Sequence, residues 1–331
     1  MRTPRLGFFV LVSATAALAC SSGSNGAAPP ANGGGATAGT AGSAGANGGA
    51  TDSGGTSNAS GGAAGSAGQS GSAGQSGSAG QSGSAGQAGS GSGAPCKRGI
   101  AANTAPGAQF FPGVSWWYNW SAKGTGQGAG IEFTPMIWGA NALNSTLPAN
   151  SHYLLGFNEP NFQSQSNLTP QAAAADWPQV EAIAQAQGLP IVSPAVNFCG
   201  PAANCNGTDP YQYLKDFFAA CAGCKVDYVA VHWYDNFPSL QDYLEPGGSL
   251  AGFEQFNRPI WLTEFSLNSS ASAADQEAFM KQAIPYLEGN SHVFRYAWFS
   301  ADPIPNAKLV NSDGTPTALG QVYVGLAQSC P

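Results

Sequence analysis

Two glutamates in this sequence stand where a carboxylate has to be explained. Glu159 follows the apolar run of "YLLGFNEPN" (153–161), and Glu264 ends that of "RPIWLTEFS" (258–266). An ionised carboxylate buried alone is costly, so each must be desolvated, paired or useful. Pro160 cannot continue a hydrogen-bonded ladder, so the first strand stops where its carboxylate appears. Brought together, two carboxyls could divide acid–base work, one holding a proton to give away and the other staying ionised. A salt-bridged glutamate at a strand end is also common, so either residue alone would decide little.

Other reactive residue types point less sharply. No cluster of His, Asp and Glu has metal-ligand spacing, and no Ser-His-Asp arrangement is apparent. Neither a metal nor a cofactor is expected. Of seven cysteines, six lie beyond Cys20: Cys96, Cys199, Cys205, Cys221, Cys224 and Cys330. An even set in an exported chain argues for disulfides, with 15 pairings open. Cys96 and Cys330 sit at the two ends of the domain, which a closed barrel would bring together. The remaining four, in "CGPAANC" and "CAGC", could instead hold zinc. Oxidising export favours bridges.

The elements that must position the glutamates are short apolar runs bounded by turn residues. They fall at 98–102, 113–118, 132–138, 153–158, 190–196, 226–233, 259–265 and 293–300. Helical patterns follow several of them, at 169–188, 209–223 and 272–289. Thr169 with Pro170 suits a helix start, and Gly188 a stop. Pro285 is expected to kink or shorten the third helix. Eight strands alternating with helices predict an α/β fold, a (β/α)8 TIM-type barrel with reduced helices in its first units. An open doubly wound sheet is the rival, but no Gly-rich phosphate loop follows the first strand. On this count Glu159 ends strand four and Glu264 strand seven. The active face of such barrels lies at the C-terminal strand ends, so both carboxylates point into one cavity. Glu132 starts its strand, and His152 and His292 precede theirs, so all three belong to the opposite end.

The 331-residue chain opens "MRTPRLGFFVLVSATAALAC", the charged, apolar and small-residue order of an export signal over residues 1–19. Its end resembles a bacterial lipobox with Cys20 as the lipidated residue, although Ala17-Leu18-Ala19 also suits ordinary cleavage and free secretion. Residues 20–95 are almost entirely Gly, Ser, Ala, Asn, Gln and Thr, with "GQSGSA" recurring. A six-residue period could mean a β-helix. Without an aliphatic residue to bury in each coil, a disordered tether is expected, spanning roughly 50 Å on average. The catalytic domain would then be 96–331. Net charge is −7 with no basic run, so nucleic acid is not an expected partner. No stretch beyond the N-terminal segment is long and apolar enough to span a bilayer, which leaves a lipid anchor as the sole expected membrane contact.

At "GFNEPN", "VHWY" and "WLTEF", preceded by "WWYNW", the sequence resembles glycoside hydrolase family 128, the endo-β-1,3-glucanases of the glycosyl-hydrolase catalytic-core type. The resemblance covers 96–331 and none of the tether. It implies Glu159 as general acid/base, Glu264 as nucleophile, and Asn158 as the partner of the 2-hydroxyl of the sugar being cleaved. His232 and Tyr234 match a His-x-Tyr pattern at strand six, where the tyrosine contacts the nucleophile. Trp298, ending strand eight, would be an aromatic floor beneath the reacting sugar. Trp117, Tyr118, Asn119, Trp120 and Trp138 are further candidates for sugar contact. By alternation Trp117 and Asn119 share one face of strand two, and Trp116, Tyr118 and Trp120 the other. Trp261 reads as barrel core.

Chemistry accounts for these residue types independently. Retaining hydrolysis needs two carboxyls roughly 5–5.5 Å apart, one attacking the anomeric carbon and one protonating the departing oxygen. A hydrogen-bonded, polar surround is expected to keep Glu264 ionised. The eight Trp and ten Tyr suit a partner whose apolar faces stack on rings. The expected protein is a monomeric, exported, retaining endo-β-1,3-glucanase, at the cell surface or secreted, with β-glucan as its partner. A hydrolase of another β-linked polysaccharide and a non-catalytic glycan-binding lipoprotein are the alternatives.

Overall fold

The structure, a computed structural model, describes residues 96–126, 130–200, 203–248 and 250–327. The expected signal peptide, Cys20, the tether and Cys330 lie outside the described residues. All eight expected strands form. They are β1 (Arg98–Ala101), β2 (Trp116–Tyr118), β3 (Glu132–Phe133), β4 (Leu154–Leu155), β5 (Ile191–Val196), β6 (Tyr228–Trp233), β7 (Ile260–Phe265) and β8 (Val293–Phe299). They pair in parallel in the order β3-β2-β1-β8-β7-β6-β5-β4. A parallel bridge between Met136 and Leu155 closes the ring between β3 and β4. Leu155 N–H donates to Pro135 O at 2.9 Å, and Ile137 N–H to Leu155 O at 3.0 Å. The result is the expected (β/α)8 barrel.

Five helices follow the last five strands: α1 (Pro170–Gln185), α2 (Pro210–Ala220), α3 (Phe237–Leu244), α4 (Ala273–Gly289) and α5 (Ala318–Gly325). Among the described residues the first three units carry only short 3-10 turns, such as Ala108–Phe110 and Ala140–Ala142, as their weak periodicity predicts. The starts follow local chemistry. Thr169 Oγ1 accepts from Ala172 N at 3.1 Å, Asp209 accepts from two amides, and Ser272 with Asp275 forms a capping box. Helix α1 buries Ala173, Trp177, Val180 and Ala184, one face of a 3.6-residue period. The Trp177 ring packs edge-on against Phe157 and Phe217, a buried aromatic worth about 3–5 kcal/mol. Pro285 does not shorten α4, which runs through it to Gly289. The packing of Phe279, Ala283, Ile284 and Leu287 outweighs the lost hydrogen bond.

Inside the barrel, Trp116, Tyr118, Met136, Leu155, Val192, Ala230, Trp261 and Ala297 form a core separate from the one between strands and helices. Its N-terminal end is plugged by the rings of Tyr153, Trp261 and Phe294 packed around Arg295. Arg295 donates two hydrogen bonds to Glu132, at 2.9 and 2.7 Å. Glu132 is thus structural, as its place at a strand start implies, and the bidentate geometry offsets the cost of burying the pair. His152 is exposed, and His292 faces Glu254 at 3.5 Å, both away from the glutamates. The zinc alternative for the cysteines is overturned by disulfides Cys199–Cys205 and Cys221–Cys224. Cys96 is also disulfide-bonded. No helix among the described residues is long and apolar enough to cross a membrane.

Candidate active site

Strict alternation along β7 would aim Glu264 away from the barrel interior. Trp261 faces inward, so a residue three positions later should face out. The ladders show how this is avoided. Leu262 pairs with Val231 and Glu264 with His232, which leaves Thr263 as an extra residue against β6. On the other side Leu262 pairs with Tyr296 and Phe265 with Trp298, again one residue too many on β7. This bulge turns Glu264 into the barrel mouth beside the inward His232.

Strand β4 is equally irregular at its end. Gly156 has no room for a side chain, since a Cβ would come within 2.9 Å of Ser193 O and of the Trp177 ring. Asn158 rejoins the ladder opposite Ala195. Glu159 then adopts φ 39°, a conformation that costs an L-residue roughly 1–3 kcal/mol and needs neighbours to hold it.

The two glutamates meet. One carboxylate oxygen from each and a ring nitrogen of His232 lie within 4.8 Å of one another. Glu159 and Glu264 are 8% and 4% exposed, so both are desolvated yet reachable. His232 Nδ1 is 2.9 Å from Glu159 Oε1 and 3.4 Å from Glu264 Oε2. Trp120 Nε1 donates to Glu264 Oε1 at 2.6 Å, and the Tyr118 hydroxyl lies 3.2 Å from the same oxygen. Tyr234 donates its hydroxyl to Oε2. Asn197 Nδ2 approaches Glu159 Oε1 at 3.4 Å. Glu159, His232 and Glu264 are the one group of potential metal ligands gathered among the described residues. The indole and phenol donors around Glu264 suit a carboxylate that itself reacts.

The hydrogen-bonded surround of Glu264 is present, but burial pushes its carboxyl above the usual range. His232 and the donors Tyr234 and Trp120 oppose that rise, while Glu159 adds to it. Burial also works against the His232 imidazolium, yet the two carboxylates outweigh it and hold His232 above its ordinary value. Burial and Glu264 carry the Tyr118 hydroxyl far upward, which keeps it a donor. Because Glu264 titrates higher in the folded chain, ionising it favours unfolding. The associated stability is intact below the unfolded-chain value of about 4.3 and is lost as pH rises through the native one. Glu264→Gln is therefore expected to raise Tm at pH 7, with the gain fading below about pH 4. A lower Tm at pH 7 would mean that its donors outweigh burial.

Of the residues singled out from sequence, Glu159, Glu264, Asn158, Tyr118, Trp120, His232 and Tyr234 converge here. Trp138 lies half-buried at the mouth, its carbonyl accepting from Asn158 N–H at 2.9 Å. Trp116, Tyr118 and Trp120 share the inner face, as alternation predicts. Trp117 is a correction. It is fully buried on the outer side of the barrel wall against Phe133 and cannot meet a sugar. Asn119 points away as well, its amide donating to Lys123 O at 3.3 Å. Trp298 is the second correction. Its ring is fully buried among Phe265, Phe279 and Tyr323, and its Nε1 donates to Ala307 O. The inward residue at the end of β8 is Phe299, which packs on both Trp120 and Tyr234. Alternation from inward Ala297 could have found it. Asn197 was also missed, although it ends strand five as the glutamates end theirs.

Residues 99–323 match the glycosyl hydrolase catalytic core family model. Among solved structures, a family 128 subgroup II endo-β-1,3-glucanase from Sorangium cellulosum is 41% identical, with TM-score 0.62. That likeness covers 70% of this chain and 99% of the other. A subgroup II endo-β-1,3-glucanase from Pseudomonas viridiflava is 33% identical over 70% and 98%, with TM-score 0.58. A subgroup I endo-β-1,3-glucanase from Amycolatopsis mediterranei, solved with laminaritriose, is 32% identical over 70% and 99%, with TM-score 0.57. Alkali-sensitive linkage protein 1 of Schizosaccharomyces pombe is 31% identical over 232 residues, 64% of this chain. The match spans 40% of that protein's length.

Proposed function

As the chain belongs to the glycosyl hydrolase catalytic core family, we propose that it is an endo-acting β-1,3-glucanase working by double displacement with retention. The observation that carries this is the facing of Glu159 and Glu264 across one barrel mouth, with oxygens within 4.8 Å. That closeness supports a carboxylate attacking carbon directly over the wider spacing that an inverting enzyme keeps for its water.

In the first step Glu264 attacks the anomeric carbon while Glu159 protonates the departing glycosidic oxygen. Tyr118, Trp120 and Tyr234 hold the attacking carboxylate in line. Once Glu264 is esterified its charge is gone, and the deprotonated Glu159 draws a proton from water to hydrolyse the intermediate. His232 lies between the two carboxylates and keeps them apart in orientation as charge passes from one to the other. Asn158 donates through Nδ2 to Gln165 at 3.3 Å, while its Oδ1 is buried with no partner among the described residues. Its assignment to the sugar 2-hydroxyl rests on the family motif and on its place next to Glu159. Half-buried Trp138 is the stacking platform for a neighbouring sugar.

The export motif and Cys20 support a protein held at the cell surface by a lipid, with residues 20–95 as its tether and 96–331 as a monomeric catalytic domain. Reducing-sugar release from laminarin, curdlan, barley β-glucan and xylan tests the substrate. Laminarin and curdlan should yield a ladder of oligosaccharides whose new reducing ends are first formed as the β-anomer by NMR. Exclusive glucose release would mean exo action, and release from xylan alone or from nothing would end the glucanase reading.

A further inference from the structure

The segment after Glu159 makes a turn of its own, with Phe162 N–H donating to Glu159 O at 3.0 Å and Leu168 N–H to Pro160 O at 3.0 Å, and is also held from outside. Residues 159–163 are gripped by described residues of the β5–α2 connection, 197–200 and 203–207. Asn206 N–H donates to Asn161 O at 2.8 Å, and Asn206 Nδ2 to Pro160 O at 3.1 Å. Gln163 N–H donates to Asn204 O at 2.9 Å, and Phe162 forms an antiparallel bridge with Cys205. In return the fully buried Asn161 donates through Nδ2 to Asn197 O at 2.7 Å and Gly207 O at 3.2 Å. The same connection supplies Asn197 to the Glu159 carboxylate itself.

The gripping segment has no helix or strand of its own among its described residues. It is closed by the Cys199–Cys205 disulfide, which joins residues six apart and carries the bridge to Phe162 at one end, together with Cys199 N–H donating to Thr208 O at 3.2 Å. Glu159 sits at φ 39°, so its backbone relaxes toward a commoner conformation as soon as its neighbours stop over-determining it. We propose that the Cys199–Cys205 disulfide and Asn206 are positioning residues for the acid/base. On this view they hold the Glu159 carboxyl against the departing oxygen by clamping the loop that follows it. The proposal rests on the acid/base reading of Glu159.

The test compares Cys199→Ser/Cys205→Ser, Asn206→Ala and Glu159→Ala with the wild type, on laminarin and on an aryl β-laminaribioside with a good leaving group. Misplacing a proton donor by about 1 Å costs on the order of 10²-fold. The clamp variants should therefore lose roughly 10- to 100-fold in kcat on laminarin. With azide present they should keep most turnover of the aryl substrate, giving the β-glycosyl azide. KM should move little. Cys221→Ser/Cys224→Ser breaks the bridge that caps α2 at the far end of the barrel, and should leave the laminarin-to-aryl ratio at its wild-type value. A fold-wide defect would lower both substrates together without azide rescue, and that result overturns the proposal. So does wild-type activity in both clamp variants. Should the double serine variant not fold, Asn206→Ala carries the same comparison. If Glu159→Ala shows the leaving-group signature and the clamp variants do not, the clamp falls and the acid/base reading stands. If Glu159→Ala lacks it, both fall.

Discussion

Glu264→Gly is expected to abolish laminarin hydrolysis, by on the order of 10⁴- to 10⁶-fold, the scale seen when a hydrolase loses its nucleophile. The carboxylate sits where four donors converge, His232, Tyr118, Trp120 and Tyr234, so no other side chain can take over the attack. Azide is small enough to enter the space the side chain leaves, and Glu159 remains to protonate the departing oxygen. An aryl glucoside of the β-1,3 series should then give the α-glycosyl azide, because one displacement inverts configuration. The measurement is product NMR with azide titrated from zero. A β-azide, or residual laminarin activity above about a hundredth of wild type, would move the nucleophile to another group.

Glu159→Ala should show the complementary pattern. Loss on laminarin is expected at about 10²–10⁴-fold, the range for a general acid/base group. An aryl leaving group needs no proton, so formation of the glycosyl-enzyme survives and its hydrolysis becomes rate-limiting. A burst of phenol followed by slow turnover is the expected trace. Azide attacks the intermediate without a base, restores turnover and gives the β-azide after two inversions. Equal losses on both substrates with no rescue would leave Glu159 as a strand-end carboxylate of structural value only. Alongside Glu264→Gly, the two azide products of opposite configuration separate the roles in a way that activity loss alone cannot.

Much of this site was legible because strand-end chemistry is local. Pro160 stops a strand, and a carboxylate at that stop must be paired or used. Counting strands put Glu159 and Glu264 at the same barrel end, and the family motifs added Asn158, His232 and Tyr234, all of which converge. The reduced first units were legible too, since the connections before β4 lack helical periodicity. The misses fell where a motif was followed in place of geometry. Trp298 has the ring that a sugar floor needs, but the pleat hands the inner face of β8 to Arg295, Ala297 and Phe299 and turns Trp298 toward α4 and α5.

By itself, the sequence determined the eight strands, the barrel order and the end at which both carboxylates lie, because period-2 and period-3.6 burial are written residue by residue. Only the tertiary structure decided that Glu264 faces the cavity at all. Alternation from Trp261 predicts the outer face. The extra residue at Thr263, absorbed against β6 and β8 together, reverses it. The grip of residues 197–200 and 203–207 on the segment after Glu159 belongs to the same class. Bulges and loop clamps arise from pairing between segments far apart in the chain, and no local pattern of apolar and polar residues records them.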